Sequence, residues 1–499
     1  MMHMLLPLLA AVVVQDTASV RLMLPGAMPD SISVLTLDAF YAEVLADHPV
    51  VRQAQLLDDV GRAEVLAAKG GVYDPTVSAL WARKSFAAAG YYNYLDAALK
   101  IPTPAGIDFK LGYEQTSGAF VNPDRTTPSS GLLSAGVVVP LGRGLITDSR
   151  RNALAQAKAL GTVASAERQR VVNRLLFSAT RDYAQWYEAW RRRTIAREGQ
   201  ELARERLVAV ARRFEDGDAA AIDTVEAGLE YQRRLVTQLE AENAWYVTTQ
   251  AINAYLWDRA VRPIDLAAGV VPSVQGLEPV ATDTSALAGW LAQAMVRHPD
   301  LVKAQGKLQQ QQANRRFYGQ DLLPEIEVAA SALRAGGAGL FGGWPDVSEN
   351  YKVALGGTTP LLLMKGRGRL DASQAKAESA ELDAALVRRD IELTVLAAFN
   401  DVVTRQQLVE LQERAIQQAR YLRDGEFRRF EAGESTFFLV NQRDRQLLDE
   451  QVKLAGFEAK YAVARAALAV ALGEPARLAA VRLPAAQANW LLRDRGAGH

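Results

Sequence analysis

The chain has no cysteine in its 499 residues. That excludes disulfides, thiolate metal sites, a cysteine nucleophile and lipid attachment at an N-terminal cysteine. Histidine is almost as scarce: there are four, and His3 and His499 sit at the chain ends. Zinc sites and Ser-His-Asp chemistry are therefore starved of parts. Charge of one sign is also missing. Lys+Arg and Asp+Glu both number 57, so neither a nucleic-acid surface nor an acidic disordered tail is indicated. No segment reaches the ~18 uninterrupted apolar residues of a transmembrane helix. The mean hydropathy is near zero, which rules out a polytopic helical membrane protein. Yet 49% of residues are hydrophobic, enough for extensive burial in two to four domains or one elongated architecture.

The longest apolar stretch comes first, at Leu5–Val14. It is too short for a bilayer and suits a signal-peptide core, with a small residue, Ala18, near a cleavage point. Residues 1–18 are thus expected to be a signal peptide, although Met-Met-His-Met carries no basic residue. A buried N-terminal strand or helix is the alternative.

Proline is absent between Pro140 and Pro263, and again between Pro360 and Pro475. Both gaps are rich in Ala, Leu, Glu, Gln and Arg, which are good helix formers. Val172, Leu175, Ala179, Tyr183, Trp186 and Trp190 recur at three and four, and Leu447, Leu454, Tyr461 and Leu468 recur at seven. Those are helix-packing seams. Each gap holds one turn signal near its middle, Arg212-Arg-Phe-Glu-Asp-Gly217 and Arg428-Arg-Phe-Glu-Ala-Gly433, each followed by an acidic residue. Glycine suits the left-handed position after a helix, and the acid suits the start of the next. Each block therefore reads as a helical hairpin with a rising arm of roughly 100 Å. A compact globule has no use for that length, whereas a spacer or tunnel does.

The matching tips belong to a tandem duplication. His48-Pro49 with Ala54 recurs as His298-Pro299 with Ala304, and Gln156-Ala-Lys-Ala159 recurs as Gln374-Ala-Lys-Ala377. The first repeat is placed at 19–270, with a strand pair in 75–140 and a hairpin at 148–258. The second is placed at 271–475, with a strand pair in 324–360 and a hairpin at 369–473; 476–499 is a tail. The paired histidines precede prolines that open helices, which favours capping over metal binding. Leu141-Gly-Arg-Gly and Lys365-Gly-Arg-Gly fit neither phosphate-loop pattern and read as strand-to-helix turns. No catalytic constellation and no cofactor or metal site is found.

Between the helices, Ile107, Phe109, Leu111 and Tyr113 alternate with Asp108, Lys110 and Glu114. Such alternation suits either a half-buried soluble sheet or a barrel with lipid outside and water inside. Thr76–Lys84, Gly136–Pro140, Glu325–Ala329 and Tyr351–Leu355 are weaker matches. Two strands per repeat give four per chain, too few to close a barrel, so a barrel needs several protomers. On the barrel reading, Ile107, Phe109, Leu111 and Tyr113 face lipid. Aromatics at Trp81, Phe86, Tyr91, Tyr92 and Tyr94, and at Phe341 and Trp344, form either an interfacial belt or surface loops.

The order helix, strand pair, long hairpin, twice over, with His-Pro openings and glycine tips, resembles the TolC-like outer-membrane efflux and secretion channels over about residues 35–475. The resemblance implies a mainly α fold with a transmembrane β part. In it, three copies each give four strands to one 12-stranded barrel in the outer membrane, and their helical hairpins form a coiled-coil tunnel across the periplasm. It further implies a homotrimer that docks a periplasmic adaptor and inner-membrane pump through tips at Gly217 and Gly433. No nucleic acid, enzyme activity or cofactor is implied.

The family's best-known members carry gate aspartates six and nine residues after the second tip glycine; here those positions are Leu439 and Gln442. Asp223 keeps the matching place in the first repeat. Phe437 and Phe438 are then the candidate gate, facing either the tunnel or the hairpin's own seam, with Arg213 or Arg429 as candidate partners for Asp223. A non-channel periplasmic coiled-coil scaffold, its strands forming a soluble cap, is the competing reading. An enzyme on a helical stalk is the third.

Overall fold

The structure, a computed structural model, describes residues 33–217, 220–277, 284–338 and 343–474. The expected signal peptide and C-terminal tail lie outside the described residues, as does Phe341. Strand β1 (Ser33–Leu35) leads into helix α1 (Leu37–Asp47), capped by the Thr36 side chain, and then α2 (Pro49–Tyr73). Four strands follow: β2 (Thr76–Phe86), β3 (Ala89–Pro102), β4 (Asp108–Ser117) and β5 (Leu132–Pro140). Helix α3 (Ser149–Glu215) and helix α4 (Ala221–Asn253) make the first hairpin. Strand β6 (Val270–Pro272) runs parallel to β1. The second repeat has α5 (Leu287–Arg297), α6 (Pro299–Gly319), β7 (Glu325–Ala335) and β8 (Tyr351–Thr358). It closes with α7 (Met364–Glu431) and α8 (Phe437–Ala471).

The long helices α3 and α7 have 67 and 68 residues. At 1.5 Å per residue each is about 100 Å long. The returning helices α4 and α8 have only 33 and 35 residues, so each covers the half nearest its tip. The other half of α3 packs on α2, and that of α7 on α6. Helix α3 also meets α6 and α8, so the second repeat lies along the first.

The seams read from the sequence are buried. Ala179, Tyr183 and Trp186 sit in one core with Phe40, Tyr41 and Ile252; Tyr461 and Leu468 sit in another with Val395, Val402 and Val409. Tyr183 holds the small parallel sheet in place by donating to Leu35 O at 2.7 Å and accepting from Ser273 N at 3.0 Å. Both repeated histidines are helix caps. His48 Nδ1 accepts from Val50 N at 3.1 Å, and His298 Nδ1 accepts from Asp300 N at 3.2 Å.

One antiparallel sheet contains six strands in the order β2-β3-β4-β5-β7-β8. The reading of two strands per repeat therefore undercounts: the first repeat carries four. The β2–β3 turn is Ala87-Ala88, both residues in the left-handed region at φ 51° and 61°. Such a turn ordinarily announces itself with Asn-Gly or Asp-Gly, and here it does not. Strand β3 also has Ala97 and Ala98 in succession, which blurs its two-residue period.

Candidate functional site

Near its helical end the sheet separates apolar from polar side chains in adjacent rows that cross its width; nearer the far end Gln115 and Arg334 join the apolar side. Partners across an antiparallel pair project to the same face. Val77 pairs with Leu99, Leu99 with Leu111, Leu111 with Ala135, Ala135 with Ala332 and Ala332 with Tyr351. One residue along, the row on the opposite face runs Thr76, Lys100, Lys110, Gly136, Ser331 and Lys352. The next apolar row is Ile101, Phe109, Val137, Ala330 and Val353. On the edge strands these apolar side chains lie open within one chain: Val77 is 79% exposed, and on β8 Val353 is 60% and Leu355 73% exposed.

Three of the four residues expected to face lipid, Phe109, Leu111 and Tyr113, share this face, and Lys110 and Glu114 take the other. Ile107 lies just outside β4, in the turn from β3, where Thr103 Oγ1 donates to its carbonyl at 2.6 Å. That turn lies at the helical end of the sheet and is short. At the far end lie the longer connections 118–131 and 336–350. Aromatic rings cluster there: Tyr91 and Phe120 are 4.7 Å apart and Tyr92 and Tyr94 5.4 Å, with Lys84 over Tyr91.

Buried aspartates fasten the sheet to the helices. Asp108 is met by Lys100 at 2.8 Å and by Arg150 of α3 at 2.9 Å. Asp321 is met by Arg143 at 3.0 Å and by Arg369 of α7 at 3.3 Å. The glycine-rich turns thereby find their role. Arg143 N donates to Pro324 O, and a Cβ on Gly366 would come within 2.7 Å of Asp321 O. Both glycine-rich segments serve close backbone packing at the strand–helix junction. Lys365–Arg369 lies inside α7 rather than ahead of it.

The hairpin tips follow from their glycines. Gly217 at φ 85° and Gly433 at φ 77° take the left-handed position after α3 and α7, and their N–H groups donate to Phe214 O and Phe430 O. The space where a Cβ would sit is open at both. Phe437 packs against Phe430 of its own hairpin, ring centroids 6.3 Å apart, and Arg213 of the first tip lies over Phe430 at 5.9 Å. Phe438 is 54% exposed. Asp223 accepts from Ala220 N at 3.3 Å and so closes the start of α4. Arg429 turns to Glu426 at 3.7 Å.

Sequence reasoning missed a buried ion network above the tips. Arg206 of α3 meets Asp444 of α8, and Arg423 of α7 reaches the same carboxylate at 3.9 Å. Glu230 of α4 receives Arg234 at 2.8 Å and Arg445 of α8 at 2.5 Å. All are charged residues on helices already rich in charge. Two of these pairs, Arg206–Asp444 and Arg445–Glu230, cross between hairpins, which no local spacing reveals.

Among the described residues no helix is long and apolar enough to cross a membrane, and no cluster could hold a metal ion. Residues 290–474 match the family model of outer membrane efflux proteins. The fold is that of solved outer-membrane channels. VceC of Vibrio cholerae superposes with a TM-score of 0.59 at 15% identity, covering 88% of this chain and 96% of that one. MtrE of Neisseria gonorrhoeae, in its open state, gives 0.61 at 15%, covering 88% and 89%. CmeC of Campylobacter jejuni gives 0.59 at 11%, covering 88% and 85%. No curated protein matches the chain.

Proposed function

We propose that this chain is one subunit of an outer-membrane efflux channel, which conducts substrates from the periplasmic side to the exterior rather than catalysing a reaction. The observation that carries this reading is the sheet with an apolar row running its full width, from Val77 through Leu99, Leu111, Ala135 and Ala332 to Tyr351, set on helices about 100 Å long. A soluble cap has no reason to leave that row uncovered, and a lipid-facing wall requires it. The polar face then lines the water-filled lumen.

A single sheet with free edges is not viable in hydrocarbon, because unpaired backbone groups there cost several kcal/mol each. Closure by identical copies, three in the resembling family, resolves this. The match of residues 290–474 to outer membrane efflux proteins supports the same reading. In the assembled channel the apolar strands sit in the outer membrane and the hairpins form a periplasmic tunnel. The tips at Gly217 and Gly433 meet an adaptor of an inner-membrane pump.

Extraction from outer membranes followed by planar-bilayer recording tests the reading. A detergent-requiring oligomer that conducts ions supports it. A water-soluble, non-conducting rod contradicts it and favours the scaffold.

A further inference from the structure

The sheet contributes six strands, and among the described residues the order β2-β3-β4-β5-β7-β8 leaves the two outermost, β2 and β8, with one unpaired backbone edge each. Every residue of β8 is exposed, and every residue of β2 but Ala82. We propose that the occupant of the β2 edge is the β8 edge of a second copy, and that three copies close a barrel of eighteen strands instead of twelve. This rests on the channel reading above and deepens it.

Three features of the sheet point to this closure. First, β2 leaves the helical end and β8 returns to it, so the two edges meet antiparallel, as every other pair in the sheet does. The β3–β4 pair is inserted between the strands that join α2 and α3, and as a hairpin it preserves this alternation. Second, one apolar row reaches both edges, from Val77 on β2 to Tyr351 on β8, and exposed apolar residues continue on the same face of each edge strand, Trp81 on β2 and Val353 and Leu355 on β8. A strand excluded from the barrel has no need of that pattern. Third, β3 and β4 pair over ten residues each, and β4 with β5 over seven, so the added hairpin is continuous with the wall and not a flap beside it.

The consequence is calibre. With strands about 4.8 Å apart and tilted about 40°, eighteen strands enclose a backbone cylinder roughly 36 Å across, and twelve roughly 24 Å. The larger size falls among porins that hold an open aqueous channel. The outer pore is then wider than the helical tips, and size selection lies at the tips alone.

The absence of native cysteine makes the test clean. Full-length protein in outer membranes is given Val353→Cys together with Val77→Cys, Ala79→Cys or Trp81→Cys, and treated with a short thiol cross-linker. A second set pairs Val353→Cys with Phe109→Cys, Leu111→Cys or Tyr113→Cys. Within one chain both sets are separated by intervening strands, so only contacts between copies respond. Conductance before cross-linking shows that each variant is assembled. The proposal predicts covalent trimers from the β2 set and none from the β4 set. Trimers from the β4 set alone mean that β2 and β3 lie outside a twelve-stranded barrel, which overturns the proposal and spares the channel reading. Conducting trimers linked by neither set also overturn it. Water-soluble single chains overturn both.

Discussion

Arg445 of α8 donates from Nη2 to Glu230 Oε2 of α4 at 2.5 Å, joining the returning helices of the two hairpins. Glu230 is buried, and its other oxygen accepts from Arg234 Nε at 2.8 Å. A carboxylate between two guanidinium groups holds the hairpins side by side just above the tips. Glu230→Gln removes the charge and leaves both arginines without a counter-ion, at a cost of about 2 kcal/mol. The variant should lower the thermal dissociation temperature and raise resting conductance in planar bilayers. Unchanged conductance would show that the tips are held together elsewhere.

The two adjacent phenylalanines at the second tip should behave differently. Phe438 is exposed, and in the proposed trimer it would meet its counterparts around the axis, where apolar rings close a pore by excluding water. Phe438→Ser should raise resting conductance and leave stability nearly unchanged. Phe437 packs on Phe430, which in turn lies beneath Arg213. Phe437→Ser should instead destabilise by about 1–3 kcal/mol through lost burial. Equal effects on conductance from both would refute the assignment of the gate to Phe438.

On the sheet, Phe109→Arg places a charge on the apolar face, where at the bilayer midplane it costs about 2–4 kcal/mol. Lys110→Glu changes charge on the opposite face. Semi-native gels of outer-membrane fractions should show assembly lost with the first and kept with the second. Equal tolerance would argue against a membrane-facing wall.

The capping histidines give a pH dependence. Burial holds the imidazoles of both His48 and His298 below the ordinary histidine range. Each accepts a backbone N–H through Nδ1, which protonation would block. The folded state therefore binds fewer protons than the unfolded one. The linked stability is present above the unfolded value of about 6.5 and is lost as pH falls through the lowered folded values. Thermal melts should shift downward as pH falls below about 6.5. His298→Asn, which keeps a capping acceptor, should flatten part of that slope. An unaltered slope would place the acid sensitivity in other groups.

The left-handed Ala87-Ala88 turn offers a gain of stability. Alanine in that region costs roughly 1–2 kcal/mol per residue. Replacing the pair by Asn-Gly should relieve most of the strain and raise the dissociation temperature of the assembled protein. No change would indicate that this hairpin does not limit assembly.

Much of the helical architecture was legible because its signals are local. Proline-free stretches, seams such as Ala179–Tyr183–Trp186, and the tip glycines all act within a few residues. The two-faced sheet was legible at Phe109–Tyr113 for the same reason. Strand β3 escaped because its turn is made of alanines, and the network around Glu230 and Asp444 escaped because it joins residues far apart in the chain. Asp223 carried the family's expected spacing, but in the structure it caps its own helix. Spacing fixes where a residue stands on a helix and not which of several nearby groups it meets.

The account's central claim is that copies of this chain close one barrel on one helical tunnel. Electron-microscopic images of the detergent-extracted, full-length protein test it most directly. The account predicts a three-fold particle, with a ring of strands in the detergent belt and a helical tube about 100 Å long continuing from it. Single, unclosed rods with no belt would contradict it.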